Sequence, residues 1–188
     1  MARGALETEI KLALPDRKTA RRLLRAAGFR LWKRRVFEGN TLYDTPDLAL
    51  RAAGKLLRVR QAGGTAILTY KGTPLVSRHK SREELEAAVS DAGTVGAIFG
   101  RLGMQRVFRY EKYRTEYRQA GHSGVATLDE TPLGLFVELE GAPRWIDRAA
   151  RQLGFSPADY ITASYARLYF EWCERNRVPP SDMVFPRS

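Results

Sequence analysis

Cysteine is almost missing from this chain. Of 188 residues only Cys173 carries a thiol, so no disulfide can close within the chain and a reducing compartment suits it. Cys173 falls in a stretch with helical spacing, where a free thiol is ordinarily a buried packing group. Histidine is nearly as scarce. His79 and His122 stand in turn-like segments, are expected to be exposed, and have no neighbouring partner that suggests a catalytic triad. Without a His/Cys cluster a zinc centre is disfavoured. Long apolar runs are missing too: none is long enough to span a bilayer, and nothing near Met1 has the pattern of a signal peptide. The expected location is therefore the cytoplasm, with no membrane partner.

What the chain does have is charge, with an excess of one sign. A net charge of +11 makes polyanions the expected partners, whether nucleic acid, acidic membrane or phosphorylated small molecules. The length suits one domain with a sizeable core, taken as residues 1–178, and Pro179-Pro180 opens a loose C-terminal tail, 179–188. The densest basic cluster is Arg17, Lys18, Arg21, Arg22 and Arg25 with Lys33, Arg34 and Arg35. It reads first as a solvated face, with a polyanion-contacting patch as the alternative.

Local pattern divides the chain into strands and helices. Leu6-Glu7-Thr8-Glu9-Ile10-Lys11 alternates as a strand, with Glu7, Glu9 and Lys11 on one face. Asp16 is a plausible N-cap for a helix from Arg17 to Ala27, which Gly28 closes. Phe29 to Tyr43 follows as a strand, then Asp44-Thr45-Pro46-Asp47 as a turn and a short helical turn from Leu48 to Ala53. Lys55–Arg60 and Thr65–Lys71 form a hairpin about Gly63-Gly64. Arg82, Glu84 and Glu86 alternate like a strand, although Glu83 to Ala88 has high helix propensity. A helix over Asp91–Leu102, a long strand over Met104–Gln119, and shorter strands over Val125–Asp129 and Leu135–Glu140 come next. Helices over Arg144–Leu153 and Thr162–Arg175 end the pattern. Trp32, Trp145 and Trp172 read as packing residues. Gly54-Lys55 lacks the upstream glycine and the following Ser or Thr of a phosphate loop, so that motif is rejected.

Several strands thus carry acids and bases in alternation with apolar residues. Two architectures accommodate this: an open antiparallel sheet with its charged face in water, or a barrel of about eight strands with the charges inside. An interior lined by both signs is costly unless the charges pair or bind ions.

The ordered series of motifs resembles the CYTH superfamily, the triphosphate tunnel metalloenzymes. Glu7-x-Glu9-x-Lys11 is similar to the ExExK signature. Tyr43-Asp44-Thr45, Leu57-Arg58-Val59-Arg60, Thr69-Tyr70-Lys71-Gly72, Arg82-x-Glu84-x-Glu86, Lys112-x-Arg114, Asp129, Phe136-Val137-Glu138-x-Glu140 and Ser164-Tyr165 follow in the family's order. The resemblance implies an α+β fold: a closed eight-stranded antiparallel β-barrel flanked by helices, with a charged tunnel. It overrides the helix propensity of Glu83 to Ala88. It implies Glu7, Glu9, Glu138 and Glu140 as metal-site carboxylates, with Glu84, Glu86 and Asp129 as further acidic lining. Lys11, Arg58, Arg60, Lys71, Arg82, Lys112 and Arg114 are the implied triphosphate ligands, and Tyr43 either lines the mouth or packs at the barrel end. Glu7, Glu9, Lys11, Glu138 and Glu140 are the implied catalytic set.

All-oxygen ligands suit one or two Mg²⁺ or Mn²⁺ ions. The expected activity is metal-dependent hydrolysis of a triphosphate, foremost inorganic tripolyphosphate, with no covalent enzyme intermediate. A class IV adenylate cyclase and a thiamine triphosphatase are the alternatives within the family. A polyphosphate or nucleic-acid binder is the alternative outside enzymes, although a full set of carboxylates makes a nucleic-acid partner the weaker expectation. A homodimer is left open.

Overall fold

The computed structural model describes residues 5–186; residues 1–4 of the expected domain and 187–188 of the expected tail lie outside them. Eight strands close into one antiparallel barrel. In chain order they are β1 (Ala5–Leu14), β2 (Arg30–Asp44), β3 (Leu56–Ala62), β4 (Thr65–Lys71), β6 (Lys80–Val89), β7 (Gln105–Arg118), β8 (Val125–Thr131) and β9 (Gly134–Glu140), while β5 (Leu75–Val76) is a two-residue strand beside β6. The order around the barrel is β1-β9-β8-β7-β2-β3-β4-β6, and the pairing of β1 with β6 closes the ring. Closure leaves no long edge on these strands and forces alternate side chains inward.

Five α-helices flank the barrel: α1 (Arg17–Ala26), α2 (Ala49–Ala52), α3 (Ala92–Arg101), α4 (Pro143–Gln152) and α5 (Tyr165–Asn176). The Asp16 side chain accepts from the Thr19 N–H and starts α1. Two apolar clusters seat the helices. Ile10, Leu12, Leu128, Val137 and Leu139 on the outside of β1, β8 and β9 pack against Leu24 of α1 and Ile146, Ala149 and Ala150 of α4, all of them fully buried. Phe108, Tyr110 and Phe136 meet Tyr165, Tyr169 and Cys173 of α5. Cys173 is therefore a packing group, 1% exposed.

The strand that the resemblance implies for Glu83 to Ala88 is present, and three other local expectations change. Glu83 to Ala88 is strand, because Ala5–Glu9 pairs with Lys80–Glu84 on one side and Ala66–Lys71 pairs with Glu84–Val89 on the other; two full ladders outweigh local helix preference. The last helix starts at Tyr165 and not at Thr162, since Ile161 makes a bridge with Lys11 and the Ser164 hydroxyl caps the helix by accepting from the Arg167 N–H. The segment after Pro180 is not loose: Met183 is 1% exposed, bridges Tyr110, and exchanges backbone hydrogen bonds with Arg109 and Glu111. Of the tryptophans only Trp145 is buried, whereas Trp32 and Trp172 are 57% and 39% exposed. No helix among the described residues is long and apolar enough to cross a membrane.

Candidate active site: a charged tunnel

The barrel interior holds a cavity of about 230 Å³. Its wall carries seven carboxylates (Glu7, Glu9, Glu84, Glu86, Glu116, Glu138, Glu140) and eight cations (Lys11, Arg58, Arg60, Lys71, Lys80, Arg82, Lys112, Arg114). Thirteen of the fourteen residues expected at the site are therefore brought together. Register does this: Glu9 faces Glu140 and Lys11 faces Glu138 across β1 and β9, Glu7 faces Arg82 across β1 and β6, and Lys71 faces Glu84 across β4 and β6.

Asp129 is the exception. It is fully buried and does not form part of the cavity wall. Its two oxygens accept from Arg114 Nε at 2.7 Å, Arg114 Nη2 at 2.5 Å, Lys112 Nζ at 2.8 Å and the Tyr165 hydroxyl at 2.9 Å. Three of these donors reach Oδ2 and one reaches Oδ1, so this carboxylate is engaged in holding Arg114, Lys112 and Tyr165. Its short side chain lies beneath the longer Arg114, its direct cross-strand partner, and sets that guanidinium in place. Burial would raise Asp129, but Arg114 and Lys112 hold it down to about 2.

Lys80, Glu116, Thr127 and the tyrosines Tyr110 and Tyr165 also line the cavity, beyond the expected set of acids and bases. Lys80 stands two before Arg82, Glu116 two after Arg114 and Tyr110 two before Lys112, so a period of two would have found them. Tyr165 reaches in from the first turn of α5, which strand alternation does not register; Lys11 and Lys112 lie 5.1 and 5.3 Å from its ring centre. Tyr43, by contrast, packs edge-on against Phe99 of α3 at 5.0 Å and is not in the tunnel wall. His122 is exposed, but His79 is buried and its Nε2 is 2.8 Å from Asp147 on α4, outside the tunnel.

Charge inside the barrel is unevenly matched. At one side Glu9 meets Lys11 at 3.4 Å and Lys80 at 3.0 Å, and Glu138 meets Lys11 at 3.1 Å and also Arg114. Burial would raise both acids. For Glu9 the cations, Lys11 first, win by a wide margin and hold it far below the usual carboxylate range; Lys11 and Arg114 hold Glu138 at about 2. Burial pushes Lys80 below the ordinary lysine value in spite of Glu9.

Acids crowd at the other side. Lys71 Nζ is 2.6 Å from each Glu7 oxygen and 3.0 Å from Glu84. Burial and the nearby Glu7 raise Glu84 even so. Withdrawal from water, then repulsion from Glu7 and Glu84, pushes Glu140 up to about 7, although its side chain is exposed at the rim. With that much solvent contact, the crowding by carboxylates is the more durable cause.

A hard divalent cation fits this acid-rich corner by its donor chemistry, since every available ligand is oxygen and the carboxylates already repel one another. As the side chains stand, no three Asp, Glu, His or Cys among the described residues converge on a single metal position, because the Lys71 ammonium lies between Glu7 and Glu84. Anion binding also has prepared groups. Arg58 Nε, Arg82 Nε and the Thr127 hydroxyl are buried without a hydrogen-bond partner, and all three residues line the cavity. Buried polar atoms seldom stay unpaired unless a ligand or water completes them.

A closed barrel with paired acids and bases inside defines a class of charged-tunnel protein. The chain belongs to the CYTH family: the CYTH domain matches residues 5–165. A Methanocaldococcus jannaschii protein whose name proposes an adenylate cyclase is 32% identical over 136 residues, covering 72% of this chain and 76% of that one. The thiamine-triphosphatase of Homo sapiens is 30% identical over 156 residues, covering 76% of this chain and 65% of that enzyme. Among solved structures, a Vibrio parahaemolyticus protein proposed as an adenylate cyclase superposes with a TM-score of 0.75 at 20% identity, covering 88% of this chain and 98% of that chain, which reflects the shared fold.

Proposed function

We propose that the tunnel binds and hydrolyses a triphosphate, foremost inorganic tripolyphosphate, to diphosphate and phosphate with Mg²⁺ or Mn²⁺ bound. The observation that carries this reading is the pairing of cavity size with lining. About 230 Å³ falls below the roughly 300–1,000 Å³ usual for drug-sized ligands, and 15 of the 23 residues in its wall are charged. A phosphate chain fits such a space without help; a nucleoside must find its own contacts outside it. The two tyrosine rings in the wall already pack against the protein, Tyr110 stacked on Phe108 and Tyr165 against Phe136 with Lys11 and Lys112 over its ring, which disfavours adenine stacking there.

Arg58, Arg82 and Arg114 would grip the non-bridging oxygens through planar forks, and Lys11, Lys71 and Lys112 would act as point charges beside the chain. Glu7, Glu84 and Glu140 of the acid-rich corner would hold the metal together with Glu9, the cross-strand partner of Glu140, and Glu138 two residues before Glu140, with Glu86 adding negative charge. When bound, the metal supplies Lewis-acid polarisation of the phosphoryl oxygens and acidifies a water. In the hydrolysis a water oxygen bonds to the terminal phosphorus, the bridging P–O bond breaks with its electron pair and oxygen leaving on the diphosphate, and the proton lost by the water passes to a phosphate oxygen or to solvent. The cations offset the charge that gathers on that oxygen. Asp129 fixes Arg114 and Lys112 for this work without touching substrate.

Adenylate cyclase and thiamine triphosphatase remain the second readings, supported by the names of the M. jannaschii and human relatives. The test is to incubate the protein with tripolyphosphate, ATP or thiamine triphosphate with Mg²⁺ or Mn²⁺ and to assay phosphate, pyrophosphate and cyclic AMP. Tripolyphosphate should show the highest kcat/KM with phosphate release. Cyclic AMP with pyrophosphate as the main products would replace this reading by the cyclase, and no turnover with salt-sensitive oligonucleotide binding would replace it by a binder.

A further inference from the structure

A second concave surface lies on the outside of the barrel, between α1 and the first half of β2. It is an open groove of about 720 Å³ walled by Arg21 and Arg25 from the helix and by Arg30, Arg34 and Arg35 from the strand. Of these five guanidinium groups only Arg35 meets a carboxylate among the described residues, Glu130 at 2.9 Å. Like charges gathered along one groove repel unless an anion joins them. Arg17, Lys18 and Arg22 extend the basic surface along α1.

The floor supplies an independent sign of a ligand. Thr115 is 3% exposed, lines the groove, and its hydroxyl has no hydrogen-bond partner. A buried hydroxyl beneath a ring of arginines is a donor placed for an anionic oxygen. We propose that this groove is a second anion site, distinct from the tunnel, which takes a linear phosphate chain.

The groove's rings decide between phosphate chains. Phe29 and Tyr117 in its lining are 2% and 9% exposed and present no open face to a base. The exposed rings on this strand, Trp32 and Phe37, are not part of the groove; Trp32 has the Arg118 guanidinium 4.4 Å over its face, and Phe37 packs edge-on against Tyr113 at 5.3 Å. Single-stranded nucleic acid owes much of its affinity to stacking on open aromatic faces. Phosphates without bases therefore fit best, which makes inorganic polyphosphate the occupant. Groove and tunnel are opposite faces of one wall, for Thr115 lies between Arg114 and Glu116, both of which line the tunnel. The site stands whether or not the tunnel hydrolyses tripolyphosphate.

The test uses the full chain and a fluorescent polyphosphate much longer than the tunnel, in metal-free buffer, with binding followed by anisotropy. Arg25→Glu/Arg34→Glu should weaken binding about tenfold or more, while the charge-matched pair Arg101→Glu/Arg175→Glu, exposed elsewhere, should weaken it no more than about twofold to threefold. Thr115→Val keeps the side-chain shape; it should lower affinity several-fold without lowering Tm, and it tests the floor if the charge variants fold poorly. Lys71→Met in the tunnel should leave this binding intact, and Arg25→Glu/Arg34→Glu should leave tripolyphosphate turnover intact. Equal loss in the two double variants, no effect of Thr115→Val, or loss of binding in Lys71→Met would each overturn the proposal. Tighter binding of a single-stranded oligonucleotide with the same number of phosphates would overturn it in favour of nucleic acid.

Discussion

Asp129 carries no exposed surface and is held by Arg114, Lys112 and Tyr165. Removing its charge strands two buried cations, so Asp129→Asn should cost about 3–5 kcal/mol at neutral pH. The sign with pH follows from its depressed acidity. A carboxyl at about 2 when folded, against an ordinary 3.8, stabilises the fold above pH ~4 and loses that contribution as pH falls toward ~2. Urea melts of wild type and Asp129→Asn should therefore differ widely at pH 7 and converge near pH 2; an equal gap at both would contradict the assignment. At this scale alternation in the sequence located most of the tunnel, because inward-facing residues in a barrel must recur every second position. Depth was not legible. That Asp129 lies beneath Arg114 depends on side-chain length across a strand pair, and that Tyr165 enters from a helix depends on where Ser164 caps it.

Close approach between elements makes a second group of predictions. A Cβ added to Gly124 would lie 2.4 Å from the Trp145 ring, and the Trp145 indole N–H donates to Gln119 at 3.2 Å. Gly124→Ala should force α4 off the sheet and cost about 1–3 kcal/mol, seen as a lowered Tm with an unchanged far-UV spectrum. Met183 closes the second apolar cluster, so Met183→Ala should cost about 2–5 kcal/mol in a urea melt; a neutral outcome would restore the picture of a loose tail. Strand and helix types were legible from period and from the Asp16 cap; that Asp91 caps α3 rather than beginning it was not. The seat of Met183 was not, since Pro179-Pro180 marks where a helix must stop but says nothing about what the next residues touch. The strand at Glu83 to Ala88 needed the family resemblance, because its local preference points to helix and its ladders lie far away in the chain.

The whole molecule separates its charge into two places. Inside, acids and bases nearly balance; outside, α1 and β2 hold a cationic excess. Closure of the barrel was readable only once several charged strands were considered together, since an open sheet would wet the same faces. Tunnel chemistry makes metal removal decisive: chelation should abolish phosphate release from tripolyphosphate, and added Mg²⁺ or Mn²⁺ should restore it. The most direct measurement is steady-state phosphate release from tripolyphosphate by wild type and Glu9→Gln in Mg²⁺, with Tm measured on both. The tunnel mechanism predicts that Glu9→Gln lowers kcat/KM by about 10²-fold or more while the protein stays folded at the assay temperature. Turnover that survives in a folded Glu9→Gln protein would contradict it.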